Sequence, residues 1–392
     1  MTTFDGDPPR PAAVLMLTPR MVMGYGVAEA VAMQTRGLRA RGINAVVGCL
    51  TDDGTYGDVP IRRVAPDRRA VADLAAEAGA PVVIAHASPF YEVLPGLTGP
   101  FWTIAYEYGD PTPELFTHDA AQRRAVVEHK RTAVYPAVSA VAAISEFIRR
   151  DIDWPQATII RLGVDHVPDL GLKKEPAPGP LRVGALMRLG PGEARYKGTE
   201  ALRDLAATMP QFEWRFAGRG TEVDAAQLRQ AGFRVVLNPG DEARSRFLRD
   251  LDVFVTLSRW EGMNLPLVEA EALGTPALAL ATGAHAEFAP RTYGSVTDLA
   301  DALNRYDADR SLLVDDGREA YELVRGTLSW QSTVTEVVEL MAGAPGQPPP
   351  LRARWRQQVG RLDRFRRALV DAGIRSAVTD QWERRIRRRS RG

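Results

Sequence analysis

Short apolar runs alternate with segments of helical periodicity through most of the chain. Residues 13–17 are apolar, residues 28–41 repeat apolar positions at helical spacing up to Gly42, and residues 45–50 are apolar again. This strand–helix–strand opening predicts a parallel sheet. Further runs of strand length fall at 81–85, 102–105, 141–145 and 157–160. A second series falls at 181–186, 213–217, 234–237 and 253–257, with helical stretches at 199–209, 242–251 and 329–341. Between the two series, Lys173-Lys174-Glu175-Pro176-Ala177-Pro178-Gly179-Pro180 has the composition of a linker. The pattern therefore predicts an α/β chain of two domains, 12–170 and 181–342. A third segment, 351–392, follows the Pro- and Gly-rich break at 344–350. There Trp355, Val359, Leu362, Phe365 and Leu369 recur at helical spacing, continued by Val378, Trp382 and Ile386.

One polar residue breaks the apolar logic of the second domain. Residues 253–257 read as a buried strand, Pro266 suits a helix start, and Gly274 suits its end. Glu269 then shares a helical face with Leu265 and Leu273, where a carboxylate is unfavourable unless something pairs with it. A ligand offering two neighbouring hydroxyls would do so. The loop 258–265 presents backbone N–H groups at a helix N-terminus, which favours an anion such as a phosphate, and Glu261 stands beside it. The plainer reading is a glutamate complementing the helix dipole and a second one snorkelling to solvent.

Other positions gain interest from where the elements place them. Gly24 and Gly26 lie between the first strand and helix and allow close approach of a ligand, although a tight turn explains them as well. The third glycine of a dinucleotide fingerprint is missing. His86 and Glu107 follow apolar runs and fall near the C-terminal ends of parallel strands, where the crevice of such sheets lies. Each could touch an acceptor or could simply be a hydrogen-bonded loop residue.

Composition narrows the classes. The 392 residues are 45% hydrophobic and 25% charged, with a formal net charge of +1. The single cysteine, Cys49, rules out a disulfide within the chain, and the five histidines show no metal-ligand spacing. The charge is unevenly spread: residues 351–392 hold fourteen arginines and four acids, a net of +10, which leaves −9 for the rest. Such a basic amphipathic segment either packs back on the first domain or lies on an anionic membrane surface. No recognition motif for nucleic acid accompanies it, so none is expected as a partner. The start of the chain lacks the pattern of a secretory signal, and no run reaches about 18 apolar residues. A cytoplasmic protein, either free or peripheral on the inner face of a membrane, is the expectation.

The segment Glu261-Gly262-Met263-Asn264-Leu265-Pro266-Leu267-Val268-Glu269-Ala270 resembles the paired-glutamate signature of retaining glycosyltransferases of family 4. Met263 and Asn264 replace the Phe and Gly usual there, and Asn264 adds a side chain where backbone normally approaches the sugar. Arg188 and Lys197 are similar to the family's diphosphate-holding pair, with Arg195 a rival for one role. The resemblance runs from about residue 13 to 341. It implies the GT-B fold, two facing Rossmann-like domains with an interdomain cleft. It implies a donor that is a nucleotide-diphosphate sugar, an acceptor hydroxyl, no further cofactor and no metal. Glu269 would accept the ribose hydroxyls. Glu261 would contact the transferred sugar, with Gly262, Met263, Asn264 and Leu265 along the donor. Gly24 and Gly26 would lie near the donor phosphate, and the nucleotide base would sit against backbone near Asn238. Glu107 stands where many members have a histidine. Two other readings are a sugar-nucleotide epimerase of the same fold and a non-catalytic protein recruited by its basic tail.

Overall fold

The computed structural model describes residues 13–97, 99–116, 119–173, 178–190 and 196–342. Arg195 and the basic segment 351–392 lie outside the described residues. Among those described, two all-parallel sheets account for the apolar runs. The first contains β1 (Ala13–Met21), β2 (Asn44–Asp52), β3 (Ile61–Arg63), β4 (Val82–Ala85), β5 (Trp102–Glu107), β6 (Ala140–Ala143) and β7 (Thr158–Ile159), in the order β3-β2-β1-β4-β5-β6-β7. The second contains β8 (Arg182–Leu186), β9 (Glu213–Gly218), β10 (Arg234–Leu237), β11 (Val253–Thr256), β12 (Ala277–Leu280) and β13 (Thr292–Tyr293), in the order β10-β9-β8-β11-β12-β13.

The sequence reading holds where strands are buried on both faces. Val14 to Leu17 and Val82 to Ala85 are fully buried, as continuous apolar runs in a parallel sheet should be. It falls short at polar strand ends. β1 continues through Thr18-Pro19-Arg20 to Met21 because its backbone keeps pairing with β2 as far as Met21 beside Asp52. The three-residue β3, with Arg62 and Arg63 exposed, carries no apolar signal.

Both sheets reverse their strand order beside their first strand, where β1 meets β4 and β8 meets β11. Ligands bind at such switch points, outside the carboxyl ends of the strands. Here the two ends face one another. Gly24, with φ of +72°, lies so close to Arg219 of the second domain that a Cβ would come within 2.3 Å of its Cδ. A Cβ on Gly262 would come within 2.4 Å of the Tyr108 carbonyl oxygen. Glu287 of the second domain accepts the backbone N–H groups of Glu146 and Phe147, at 2.9 and 2.6 Å, at the start of helix Glu146–Asp151 in the first.

The last described helix, Trp330–Met341, crosses back and packs on helix Gly26–Ala40 of the first domain. Arg41 fastens it through the Gln331 carbonyl and the Thr335 hydroxyl, both at 2.8 Å. One apolar core therefore runs from the first sheet through Trp260, Met263 and Leu267 to Trp330 and Val334, and a separate one fills the second domain. No described helix is long and apolar enough to cross a membrane.

Candidate functional site

The cleft between the sheets encloses about 370 Å³, a volume suited to a small ligand. The first domain contributes Gly24, Tyr25, Gly26, Glu29, Tyr108 and Gly109. The second contributes Arg188, Lys197, Arg219, Arg244, residues 261–265 and Glu269. Most of the positions singled out from sequence thus converge on one space.

The wall carrying Glu261 and Glu269 forms as the local sequence dictates. β11 ends at Thr256, and helix Leu265–Ala272 begins at Asn264, which caps it by accepting the Leu267 N–H at 3.3 Å. The Asn264 amide also donates to Thr256 Oγ1 and to His285 Nε2, both at 3.2 Å. The ring of His285 is held in turn by its Nδ1–H on the Leu280 carbonyl at 2.8 Å, and burial keeps this imidazole below its ordinary range. The extra side chain of Asn264 is therefore engaged with protein partners through both its amide nitrogen and its oxygen.

Lys197 Nζ lies 2.8 Å from Glu261 Oε1, so the expected phosphate-binding cation and sugar-binding carboxylate stand side by side. Arg188 lines the same face. Segment 262–265 runs in front of the helix start, where the helix dipole favours an anion.

Glu269 is 1% exposed. Its Oε1 is 3.1 Å from His166 Nε2 and 3.5 Å from an Arg244 Nη2, whereas Oε2 has no hydrogen-bond partner among the described residues. Burial alone would push this carboxyl up, but the Arg244 charge and the His166 hydrogen bond more than offset it and hold the group below the usual carboxylate range. Arg244 also forms a two-pronged pair with Glu29 of the first domain, at 3.0 and 2.9 Å. The Trp330 indole N–H donates to His166 Nδ1 at 3.1 Å. Sequence reasoning missed His166, Arg244 and Glu29: His166 and Arg244 reach Glu269 across 103 and 25 positions, and Glu29 meets those two from the first domain.

Glu29, His166 and Glu269 also present ligand atoms within 4.8 Å of one another, the only such group of three among the described residues. The arrangement does not suit a metal ion. Arg244 already supplies the positive charge, and the indole donor on Nδ1 leaves Nε2 as the protonated ring nitrogen, with no lone pair for a metal.

Three sequence candidates stand apart from the cleft. Glu107 is the last residue of β5, and its side chain turns inward. It takes Lys130 Nζ at 2.9 Å on each oxygen and the Tyr135 hydroxyl at 2.9 Å. Lys130, itself 2% exposed, also reaches Asp110, so Glu107 braces the loop behind Tyr108 and lies outside the cleft lining. His86 is buried behind Tyr108, whose hydroxyl lies 3.0 Å from Nδ1, and burial pushes its imidazole down to about 3. It too stays out of the cleft lining and is uncharged at neutral pH. Asn238, in the left-handed region with φ of 50°, turns its amide onto Gly220, and its neighbour Pro239 lines the cleft instead.

Comparison with known proteins adds to this geometry. Residues 189–309 match a family model described as glycosyl transferases group 1. No curated protein matches the chain in sequence at a significant level. Among solved structures, the chain is similar to Anabaena HepE in complex with UDP and glucose, at 16% identity and a TM-score of 0.68. The match covers 85% of this chain and 100% of that one. It is also similar to sucrose-phosphate synthase from Thermosynechococcus elongatus, at 18% identity and a TM-score of 0.68, covering 84% and 98%. A glycosyltransferase from Rickettsia africae matches at 13% and 0.66, covering 85% and 98%. The fold is GT-B.

Proposed function

From the premise of a GT-B glycosyltransferase, which the family model and the structural neighbours support, we propose a retaining, metal-independent transfer of a sugar from a nucleotide-diphosphate donor to an acceptor hydroxyl. One observation carries this reading. Glu269 is buried and ionised, with one oxygen held by protein and the other unpartnered, in the same cleft as the Lys197–Glu261 pair and a helix start. A ribose hydroxyl satisfies the open oxygen. The diphosphate lies against Lys197, Arg188 and the backbone of residues 262–265. Glu261 receives hydroxyls of the sugar.

As the bond from the anomeric carbon to the diphosphate oxygen breaks, negative charge grows on that oxygen beside Lys197 and Arg188. Groups already in place for this charge lower the barrier without reorganising. The acceptor hydroxyl attacks from the side the diphosphate leaves, and a departing phosphate oxygen takes its proton, so configuration is retained and no protein base is needed. The acceptor binds against the first domain, near Tyr25 and Tyr108.

Mass-spectrometric screening of the full chain with a panel of sugar nucleotides and acceptor alcohols tests the reading. Transfer that requires both substrates supports it, whereas epimerised or hydrolysed donor in the absence of acceptor favours the epimerase. Glu269→Ala is expected to weaken binding of the nucleoside diphosphate about tenfold or more, the loss of one to two charge-assisted hydrogen bonds. Unchanged affinity by calorimetry removes Glu269 from the donor site. Liposome sedimentation of the full chain against a chain ending at residue 350 tests the proposed membrane role of the basic tail; equal pelleting rejects it.

A further inference from the structure

We propose that His166 is a positioning residue that aims Glu269 at the donor ribose, and that Trp330 fixes the tautomer in which it can do so. The inference rests on the donor-site reading above and adds residues to it.

A glutamate's terminal torsion is broad, so a carboxylate plane in a cleft is not aimed by rotamer preference alone. At Glu269 both protein contacts fall on Oε1. The shorter is His166 Nε2 at 3.1 Å, and Arg244 stands back at 3.5 Å with its fork committed to Glu29. Arg244 thus acts on Glu269 chiefly through its charge, and His166 adds the directional hydrogen bond. With Oε1 pinned, Oε2, itself buried, is the oxygen left without a partner among the described residues.

The histidine works this way only if Nε2 carries hydrogen. An indole N–H donates and never accepts, so Trp330, at 3.1 Å, requires a lone pair on Nδ1 and leaves the hydrogen on Nε2. The opposite tautomer would turn the Nε2 lone pair toward two carboxylates, Glu269 at 3.1 Å and Glu29 at 3.3 Å. The ring is 9% exposed, and the neighbouring Asp165 takes the backbone N–H of Trp330 at 2.7 Å, which ties the histidine turn to the start of the last helix. A buried imidazole wedged between an indole donor and a cleft-lining carboxylate is more than a filler of space.

The consequence is a preference for ribose over 2′-deoxyribose that depends on a residue touching neither. Calorimetric binding of UDP, ADP and GDP, each beside its 2′-deoxy counterpart, reads it out. Wild type is expected to bind one of the ribonucleotides at least tenfold tighter than its deoxy form. His166→Phe keeps a ring of similar size but no donor. It is expected to weaken that ribonucleotide about tenfold, leave the deoxy form within twofold, and so abolish the preference. His166→Gln, which returns an N–H at similar reach, should recover at least a third of the lost ratio. Trp330→Phe removes the tautomer lock together with part of a buried core ring, so its melting temperature is read alongside, and it is expected to lower the ratio at least threefold. A purely structural histidine would lower the melting temperature and leave the ratio intact. A ratio within twofold of wild type in folded His166→Phe or Trp330→Phe overturns the inference while Glu269 keeps its place. Failure of wild type to bind any of these diphosphates overturns the donor site itself, and this inference with it.

Discussion

Lys197→Ala is expected to lower kcat about 10²–10³-fold, with a much smaller change in donor affinity, the scale seen when one preorganised charge-stabilising group is removed. Lys197 stands 2.8 Å from Glu261, at the point where the diphosphate and the transferred sugar must meet. Its contribution grows as charge accumulates on the departing oxygen, so the loss falls on the transition state more than on the bound donor. Removing the ammonium also leaves Glu261, whose side chain is 8% exposed, beside an uncompensated gap. Lys197→Arg keeps the charge in a different shape and should recover part of the rate. Steady-state rates at saturating donor, with thermal melting as a control for folding, check this. A kcat within tenfold of wild type for a folded Lys197→Ala protein would place the departing phosphate elsewhere.

Glu271→Met is expected to stabilise the protein by at least about 2 kcal/mol at pH 7, in the range assigned to a buried polar group without partners. Glu271 lies on the same helix as Glu269, is fully buried, and has no hydrogen-bond partner for either oxygen among the described residues. Burial alone pushes its carboxyl well above the ordinary range. The sign of the pH dependence follows. Above about pH 4.3 the unfolded chain releases this proton and the folded chain keeps it, so folding is linked to proton binding. Wild-type stability therefore falls as pH rises from that point, by up to about 1.4 kcal/mol per unit, until the folded group itself ionises. The variant lacks this term, so the gap between the two proteins should widen from pH 5 to pH 7. Denaturant titrations across that interval measure it. A variant less stable than wild type, or a gap independent of pH, would show that the carboxyl has a partner in solution.

The two glutamates, Glu269 and Glu271, show how far sequence reaches. The Glu269 position was legible because a helix boundary, an apolar stripe and an eight-residue spacing are all local. Its partners were not: Arg244 meets it through the packing of two helices inside the second domain, His166 comes from the first domain, and Glu29 of the first domain holds both of those partners. Asn264 was legible as a departure from the expected loop, but its outcome depends on His285, 21 positions on. Glu107 was placed correctly near a strand end, yet alternation turned its side chain into the sheet's packed side, where Lys130 waited. Periodicity fixes which face a residue occupies; the group that meets it there is set by tertiary structure.

The most direct test is a crystal structure of the full chain with a hydrolysis-resistant sugar nucleotide. The pyrophosphate is expected against Lys197, Arg188 and the backbone of residues 262–265, Glu261 on the sugar, and a ribose hydroxyl within hydrogen-bonding distance of Glu269 Oε2, with His166 still on Oε1. A donor bound with its ribose away from Glu269, or with both carboxylates turned from the cleft, would contradict it.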